Sequence, residues 1–485
     1  MKRVEGWNAI HEEYHPFLFD ESRLEAESIN RLYFPESTAE AAEALRECAE
    51  TATRVVFSGG RTGITGGAVP RGAGAVISTE RLKLRPEVNR DPGTGEWTLR
   101  VGAGTTLAEV KDILARKSYR APEGEGGKRL FFPVAPTETG AALGGMAATN
   151  ASGARTLAYG PMRDWVRGLT VVLADGSVAR LERGLCTIGK QGGGKSDSGY
   201  AADCAVREAI ALPVEPGGPK GSGTIQYREI PVAPVYLPEV KHSGGYYLRP
   251  PFDAVDLFVG SEGTLGLITE LTLRLIEVPS EAMNLYVMIF LSEDRPFGLV
   301  EGLAAARSFS PIALEYMDHR SLRLLEEFRR EQGEASGVPE MPGDTKGLLY
   351  VEIGLGNRED FFRVRSEIAA VMGEMGIPEE RTWAGFSEKT LEAMKKLRHA
   401  LPERINTIIA GRKSRFKELT KIGTDIAVPG RNLEEMTSYS VDRLAEGGLE
   451  FCVFGHIGNG HLHINILPRD HKEIERAWEV YRELA

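Results

Sequence analysis

The chain has 485 residues, of which 42% are hydrophobic and 26% are charged. This length corresponds to roughly three domains, and the composition excludes a disordered, collagen-like or coiled-coil protein. The formal net charge of -10 has the wrong sign for a protein that binds the phosphate backbone of nucleic acids. We therefore expect a soluble folded protein with no nucleic-acid partner.

The N-terminus and the cysteines exclude further classes of protein. Residues 1–19 lack the apolar core of a secretory signal, and the longest aliphatic stretch, at 285–291, has the length of a strand rather than of a membrane span. The four cysteines lie far apart, without the CxxC spacing of zinc, thioredoxin or iron–sulfur motifs: Cys48, Cys186, Cys204 and Cys452. We expect a cytoplasmic protein that meets a membrane only through a partner.

The first half of the chain alternates short elements with glycine-rich segments. An N-cap at Ser37 or Thr38 begins an Ala/Glu-rich helix that ends at Glu50. The pattern further predicts a helix at 106–116 and strands at 54–57, 74–78, 97–101, 168–173, 177–181 and 271–276. Residues 184–251 show little periodicity, which indicates an insertion or a mobile lid.

Strands and helices alternate again after Pro279, the predicted domain boundary. The pattern predicts strands at 285–291, 312–317, 348–354 and 422–428 and a hairpin at 451–467. It predicts helices at 298–307, 321–331, 359–375, 388–399, 433–446 and 473–484. Such alternation is typical of a ferredoxin-like cap.

Glycine is the compositional outlier, with 56 residues against the roughly 7% typical of proteins. The densest segment, 58–67, has five glycines within ten residues together with Thr62 and Thr65. Its N–H and hydroxyl groups could bind a pyrophosphate; a glycine-rich surface turn is the alternative. None of the glycine-rich loops matches GxGxxG, which disfavours a nicotinamide-binding Rossmann domain.

Residues 189–196 match the P-loop pattern GxxxxGK[ST]. The residues before them, 179–188, are only loosely strand-like, and no apolar strand ending in Asp lies nearby. A basic, flexible loop is therefore a better interpretation than a nucleotide site.

Six segments, taken in order, resemble the p-cresol methylhydroxylase and vanillyl-alcohol oxidase superfamily, in its branch of D-2-hydroxyacid dehydrogenases. They are residues 58–70, 136–153 with Tyr159 and Gly160, 260–270, 315–318, 421–429 and 455–465. The resemblance implies an α+β protein. Its two-subdomain FAD-binding domain would span residues 1–278, with the insertion at 184–251, and its ferredoxin-like α+β cap domain would span 279–485.

By the same resemblance, FAD lies between the two subdomains of the first domain. Its pyrophosphate would contact the first two glycine loops, and its isoalloxazine ring would face the cap. Relatives with covalent flavin supply a histidine from the first loop; this loop has none, so we expect noncovalent FAD. The implied FAD-binding residues are Ser58, Gly59, Gly60, Arg61, Thr62, Gly63, Thr65, Gly66, Gly67, Pro136, Thr137, Gly140, Gly144, Gly145, Thr149, Ser152, Gly153, Tyr159, Gly160, Glu262, Gly266 and Ile268.

The predicted hairpin carries a polar face. A two-residue turn at Asn459 and Gly460 would place His456 directly across from His463, with Cβ atoms about 5 Å apart. Two imidazoles at that distance can share one divalent metal (Zn, Fe or Mn), although histidines on strands are also commonly structural or exposed. Strand alternation divides the second strand into a polar face and an apolar face: His461, His463 and Asn465 on one, and Leu462, Ile464 and Ile466 on the other.

The sequence departs from the family in and after this hairpin. The family has Asp at position 459 and Asn at position 461, so His461 is a candidate extra ligand or alternative base. Family members continue past the helix at 473–484 into a Glu-His-Gly segment that supplies a metal ligand and the catalytic histidine, whereas this sequence stops at Ala485. We expect either a chain cut short or a member in which another residue or chain replaces those groups.

The resemblance also implies substrate contacts. Arg398 matches the family arginine that binds a carboxylate, and a planar guanidinium suits that group. Lys421 is a second cationic candidate. Together with His461 and Asn465 they form the predicted catalytic set, while His456 and His463 form the predicted metal pair.

The implied reaction is the FAD-dependent oxidation of a D-2-hydroxy acid, such as D-lactate or glycolate, to the 2-oxo acid. Because the chain lacks cluster-forming cysteines, electrons would pass to a separate acceptor: an iron–sulfur subunit, a flavoprotein or a quinone. A homodimer is compatible with the sequence. The alternatives are a non-redox transferase resembling alkyl-glycerone-phosphate synthase and an auxiliary electron-transfer flavoprotein subunit.

Overall fold

The computed structural model describes residues 1–22, 24–72, 74–115, 119, 127–185, 187–188, 205–206, 209–215, 226–231, 240, 244–248, 252–278, 282–386 and 388–484. The P-loop-like pattern at 189–196 and most of the predicted insertion at 184–251 lie outside these residues. None of the described helices combines the length and the apolar composition that a membrane crossing requires.

The strands are β1 (Lys2–Glu5), β2 (Arg31–Phe34), β3 (Val55–Ser58), β4 (Ala75–Ser78), β5 (Glu87–Arg90), β6 (Trp97–Gly102), β7 (Arg129–Phe131), β8 (Val166–Val172), β9 (Val178–Glu182), β10 (Thr187–Ile188), β11 (Ala205–Val206), β12 (Ala209–Glu215), β13 (Gln226–Pro231), β14 (Phe252–Asp253), β15 (Leu267–Val278), β16 (Met283–Leu291), β17 (Pro311–Asp318), β18 (Gly347–Leu355), β19 (Thr382–Gly385), β20 (Ile422–Gly423), β21 (Phe451–His456) and β22 (His461–Ile466).

The α-helices are α1 (Trp7–Glu13), α2 (Thr38–Glu50), α3 (Leu107–Ala115), α4 (Leu143–Ala148), α5 (Thr156–Tyr159), α6 (Ala254–Phe258), α7 (Phe297–Ala304), α8 (His319–Gln332), α9 (Arg358–Glu374), α10 (Glu388–Lys413), α11 (Leu433–Glu446) and α12 (His471–Leu484). Short 3₁₀ helices span His15–Phe17, Met162–Trp165, Gly333–Ser336, Glu379–Arg381, Gly430–Asn432 and Ile457–Asn459.

The chain forms two compact units. The N-terminal unit comprises residues 1–153, 160–237 and 243–278, and the C-terminal unit comprises residues 154–159, 238–242 and 279–485. The segment 154–159 therefore belongs to the C-terminal unit although the residues on both sides of it belong to the N-terminal unit.

Two larger sheets and the two-stranded sheet of β10 and β14 organise the described part of the N-terminal unit. The first has the order β1-β2-β4-β3, in which β2, β4 and β3 are parallel. The second runs β11-β12-β9-β8-β15-β6-β5 and is antiparallel along β6, β15 and β8. Helix α2 begins at Ser37, whose hydroxyl accepts a hydrogen bond from the Glu40 amide, as an N-cap residue does. Ala41, Ala42, Ala44 and Leu45 of this helix pack in one core cluster with residues of β4.

The C-terminal unit is built on an antiparallel sheet of order β19-β16-β18-β17-β21-β22-β20. If β16 to β19 are numbered one to four, their order is 4-1-3-2, the order of the ferredoxin-like motif. The predicted ferredoxin-like cap and the α+β fold class are thus confirmed. Helices α7, α9, α11 and α12 cover one face of this sheet, and α8 and α10 cover the other.

Two predicted elements of the cap have the wrong bounds. The helix predicted at 388–399 continues to Lys413 through Pro402, because Leu401 and Ile405 beyond its predicted end are fully buried in the core and their burial outweighs the hydrogen bond lost at proline. The strand predicted at 422–428 ends at Gly423. There the Thr424 hydroxyl, rather than a carbonyl, accepts the hydrogen bond from the Ile464 amide.

Candidate active site

The first two glycine-rich loops are in backbone contact. A Cβ atom added to Gly60 would lie 2.6 Å from the carbonyl oxygen of Gly140 and 3.0 Å from the amide nitrogen of Ala142. A Cβ at Gly59 would lie 3.5 Å from the Ala142 methyl. Only glycine allows the loop that follows β3 to approach the residues before α4 this closely.

The third glycine-rich loop joins the same place. The amides of Gly260 and Glu262 donate hydrogen bonds to carbonyls at the C-terminal end of α4, at 2.9 and 2.8 Å. A Cβ at Gly263 would lie 2.9 Å from the Phe57 ring of β3. We call the combined surface of residues 58–67, 140–145 and 260–266 the glycine cradle.

The glycine cradle leaves room for a ligand. Cβ atoms added to Gly63, Gly67, Gly140 or Gly145 would have no neighbour within 4 Å. Arg61 adopts a left-handed φ of 57°, a conformation that is costly for a non-glycine residue and is concentrated at ligand sites. Its guanidinium lies 4.3 Å from the centre of the Phe17 ring, and burial lowers its pKa. An open backbone surface beside a cation fits a diphosphate such as that of FAD.

The remaining predicted FAD-binding residues occupy different environments. Thr149 turns its hydroxyl back to the Gly145 carbonyl at 3.0 Å, and Gly153 is packed so tightly that a Cβ would lie 2.1 Å from the Ala135 oxygen. Ile268 is buried in β15, and Thr137 is exposed. Tyr159 belongs to α5 in the C-terminal unit, and its predicted FAD contact stays a prediction.

The hairpin of β21 and β22 has a different register from the predicted one. Residues 457–459 form a 3₁₀ turn, and Gly460 takes the left-handed φ of 65° that closes it. The loop therefore has four residues instead of two, and His456 lies opposite His461, while His463 lies opposite Phe454. The predicted pairing of His456 with His463 is wrong.

The three imidazoles nevertheless cluster on one face of the hairpin. The ring centres of His461 and His463 lie 4.4 Å apart, and that of His456 lies 6.0 Å and 5.5 Å from them. Asn465 continues this row and is buried. The intervening residues of β22 pack in the core on the opposite face: Leu462, Ile464 and Ile466.

Glu315 of β17 connects this cluster to Arg398. One carboxylate oxygen accepts a hydrogen bond from His456 Nδ1, and the other lies 2.9 Å from Arg398 Nε. Burial alone would raise the pKa of the Glu315 carboxyl, but the Arg398 guanidinium and the hydrogen bond from His456 outweigh it and hold that pKa at about 2. Glu315 is therefore ionised at neutral pH and fixes both partners.

Asp425 lies on the other side of the imidazole cluster. Its Oδ1 atom is 2.6 Å from His461 Nε2 and 3.5 Å from His463 Nδ1. Burial, followed by the neighbouring imidazoles His461 and His456, lowers the pKa of His463 to about 4. His463 is thus neutral at pH 7, with a lone pair available to a cation or a donor. We call residues Glu315, Arg398, Asp425, His456, His461 and His463 the imidazole face.

Lys421 directly precedes β20, and burial lowers the pKa of its ammonium group. The described contacts give it no link to Arg398 or to the imidazoles, so its predicted catalytic role stays a prediction.

Sequence reasoning missed three polar groups of the C-terminal unit. Glu315 and Asp425 were noted only as members of matching segments. The signal for Glu315 was an acid within a strand of apolar residues. The signal for Asp425 was a Thr-Asp pair at the end of a strand. Arg155 was missed entirely. Its guanidinium binds Glu352 of β18 with distances of 2.6 and 3.2 Å, and Asn284 donates to the same carboxylate at 3.1 Å.

Comparison with protein families identifies both parts of the chain. Residues 29–182 match the family described as FAD binding domain, and residues 281–485 match the family described as FAD linked oxidases, C-terminal domain. The first match covers the described residues of the glycine cradle up to Gly145, and the second covers the whole imidazole face.

Characterised relatives span almost the whole chain. It is 27% identical over 450 residues to D-lactate dehydrogenase of Archaeoglobus fulgidus, which covers 92% of this chain and 75% of that protein. It is 26% identical to the glycolate oxidase subunit GlcD of Bacillus subtilis (93% and 76% covered) and 28% identical to D-2-hydroxyglutarate dehydrogenase of Xanthomonas citri pv. viticola (90% and 72% covered).

A solved structure shares the fold. An alkyldihydroxyacetonephosphate synthase superposes with a TM-score of 0.54 at 13% identity, over 94% of this chain and 72% of that one. At this level of identity the similarity concerns the fold alone. With both domains in order and dehydrogenases as relatives, the chain combines an FAD binding domain with the C-terminal domain of FAD linked oxidases and is an FAD-dependent hydroxyacid oxidoreductase.

Proposed function

We propose that this protein oxidises a small D-2-hydroxy acid, similar to D-lactate or glycolate, to the 2-oxo acid. The observation that carries the proposal is the ion pair through which Glu315 fixes Arg398 next to the three imidazoles. A 2-hydroxy acid has a carboxylate at C1 and a hydroxyl at C2. The carboxylate requires a cation, and the hydroxyl requires a group that accepts its proton. Relatives named for D-lactate, glycolate and D-2-hydroxyglutarate support this substrate class.

Arg398 is proposed to bind the substrate carboxylate. Its Nε atom faces Glu315 at 2.9 Å, which orients the guanidinium plane. The terminal nitrogens can then form the paired hydrogen bonds that a carboxylate accepts. A side chain that is 28% exposed remains accessible to a small acid.

The imidazoles are proposed to accept the proton of the C2 hydroxyl and to hold a divalent metal (Zn, Fe or Mn). The sequence predicted the metal on His456 and His463, with His461 as an extra ligand or an alternative base. The contacts of His456 support assigning the base to His456 instead. Glu315 binds His456 at Nδ1, and an imidazole held by a carboxylate at one nitrogen presents the other as a general base. A bound metal would supply a Lewis acid for the hydroxyl oxygen.

The glycine cradle is proposed to hold FAD noncovalently, since residues 58–70 contain no histidine. When bound, FAD supplies the acceptor for the hydride of C2. The electrons are proposed to pass to a separate acceptor, an iron–sulfur subunit, a flavoprotein or a quinone, in a cytoplasmic setting. The four cysteines lie far apart in the sequence, without the spacing of an iron–sulfur motif.

Anaerobic stopped-flow absorbance tests this function. The FAD-loaded protein is mixed with D-lactate, glycolate or D-2-hydroxyglutarate, and the flavin band near 450 nm should bleach with at least one of them. L-lactate serves as the stereochemical control and should bleach it far more slowly. If no 2-hydroxy acid reduces the flavin, the proposed function is wrong.

A further inference from the structure

We infer that His11, His15 and Glu25 form a surface site for a transition-metal cation such as Zn²⁺ in the N-terminal unit. The three residues lie in that unit and belong neither to the glycine cradle nor to the imidazole face, so the inference does not depend on the proposed function. Two observations of different kinds lead to it: the spacing of the two histidines in the sequence and the position of the carboxylate in the fold.

The two histidines have the spacing of a metal-binding pair. Residues 11–15 read His-Glu-Glu-Tyr-His, and histidines four positions apart on a helical turn lie on one face, as in HExxH zinc sites. The Tyr14 amide donates to the Ile10 carbonyl at 2.9 Å, so the helical turn of α1 extends to the residue before His15. The ring centres of His11 and His15 are consequently only 5.1 Å apart.

The fold brings a third ligand to this pair. His15 Nε2 lies 3.2 Å from a carboxylate oxygen of Glu25, and one ligand atom from each of the three residues lies within 4.8 Å of the other two. Zinc–nitrogen and zinc–oxygen bonds of about 2.1 Å in a tetrahedron separate neighbouring ligands by about 3.4 Å. Small rotations of the side chains are therefore enough to close the three groups around a cation.

The backbone that carries these ligands is anchored in the core. The residues near them in sequence are buried in one cluster: Ile10, Phe17, Leu18 and Ala26. The Ala26 amide donates to the Leu18 carbonyl at 2.8 Å, and Phe19 forms a β-bridge with Glu25. Because the backbone on both sides of the site is already fixed, binding a cation would order little more than the three side chains.

The site is linked to the glycine cradle through the segment 15–25. His15 begins the short 3₁₀ helix that also carries Phe17, whose ring lies 4.3 Å from the Arg61 guanidinium. The Glu21 amide donates to the Arg61 carbonyl at 3.3 Å. A cation between His15 and Glu25 would cross-link the two ends of this segment. Its expected role is therefore to stabilise the N-terminal unit and not to take part in the oxidation.

Another cluster outside the imidazole face, in the described part of the chain, has similar composition but is less suited to a cation. It consists of Asp294, Asp318 and His319. His319 Nδ1 already lies 2.6 Å from Asp294, and Asp318 caps α8 through hydrogen bonds of 2.8 and 2.7 Å from Ser321. His319→Asn is therefore a suitable control for the loss of a histidine.

Equilibrium dialysis of the FAD-loaded full chain against Zn²⁺, with metal counted by inductively coupled plasma mass spectrometry, tests the inference. Wild type should bind one Zn²⁺ per chain that His11→Asn and His15→Asn do not bind, and Glu25→Gln should weaken this binding at least tenfold. His319→Asn should bind like wild type. Glu12→Gln should do so too, because it removes one negative charge beside His11 without removing a ligand.

A thermal melt provides a second measurement. Zn²⁺ should raise the melting temperature of wild type more than that of His11→Asn. The side chains of His15 and Glu25 are 45% and 56% exposed, so their variants should fold, and flavin absorbance verifies this. The inference is wrong if wild type and His11→Asn bind equal amounts of Zn²⁺, if Glu25→Gln binds like wild type, or if Glu12→Gln loses as much affinity as Glu25→Gln.

Discussion

The glycine cradle and the imidazole face are built in opposite ways. In the cradle, contacts between loops are made by backbone atoms, such as the approach of Gly60 to Gly140, at positions where glycine has no side chain. On the imidazole face, charged side chains hold one another, as Glu315 holds Arg398 and His456. Substitutions that add a side chain should therefore impair the glycine cradle most. Substitutions that remove a charge should impair the imidazole face most.

The largest expected effect comes from removing a charge near the imidazole face. Glu352→Gln leaves the Arg155 guanidinium without its ionic partner in a buried place, since the Glu352 side chain is only 4% exposed. Loss of one partner of a buried pair costs 3–5 kcal/mol; because Arg155 is 25% exposed, we expect about 3 kcal/mol less unfolding free energy.

Chemical denaturation followed by circular dichroism measures this loss. Glu379→Gln is the control, because its pair with Arg365 is exposed on both sides and should contribute no more than about 0.5 kcal/mol. Equal losses in the two variants would contradict the view that buried charge organises this side of the C-terminal unit.

The second prediction concerns substrate binding. Arg398→Met should lower kcat/KM for the hydroxy acid about 100-fold, since truncating one partner of a desolvated charge pair costs 2–5 kcal/mol, and should leave the FAD content unchanged. Lys396→Met removes a positive charge from an exposed position two residues away and should change kcat/KM less than twofold. Steady-state kinetics on both variants would refute the carboxylate role of Arg398 if they behave alike.

The third prediction adds volume to the cradle. Gly145→Ala places a methyl group in open space within α4, which should favour the apoprotein through helix propensity but weaken FAD binding about tenfold or more, because overpacking costs 1–3 kcal/mol. Fluorescence titration of the apoprotein with FAD measures the affinity.

Gly373→Ala is the matched control for that substitution. Gly373 also lies in a helix, α9, with no atom within 4 Å of an added Cβ, but it is far along the sequence in the C-terminal unit. It should gain the same helix stabilisation with unchanged FAD affinity. Unchanged affinity in Gly145→Ala as well would mean that the cofactor does not occupy this part of the cradle.

The smallest expected effect comes from two helix caps that lie outside the glycine cradle and the imidazole face. Ser37→Ala removes the N-cap of α2, and Asn357→Ala removes the capping box of α9. Each should cost about 1 kcal/mol of stability without changing FAD affinity or kcat/KM, and Ser37→Thr and Asn357→Asp should restore most of it. A change in activity in either alanine variant would show that stability and function cannot be separated in this way.

Local patterns in the sequence predicted the faces of strands better than they predicted strand register or the end of a helix. Alternation in β22 correctly separates Leu462 and Ile464 from the polar row, because strand periodicity is a local property. The register failed because Gly460 takes a left-handed φ after a 3₁₀ turn, and an Asn-Gly pair is equally compatible with a two-residue turn. The end of α10 failed because tertiary burial of Leu401 and Ile405 overrides the proline.

The sequence could not predict side-chain pairs between residues that are distant along the chain. His456 binds a carboxylate 141 positions earlier in the chain, and Arg155 pairs with a residue 197 positions later. No local pattern marks such pairs. The family resemblance correctly predicted the flavin-dependent class and the two domains' fold, whereas the individual FAD, metal and substrate contacts stay predictions.

The assignment of residues 154–159 to the C-terminal unit has a consequence for protein engineering. A chimera that replaces residues 279–485 with the cap of a relative would keep Arg155 but lose Glu352, so that the Arg155 guanidinium would lack its carboxylate partner unless the foreign cap supplied one. Swapping caps to alter substrate preference should succeed only when this six-residue stretch travels with the cap.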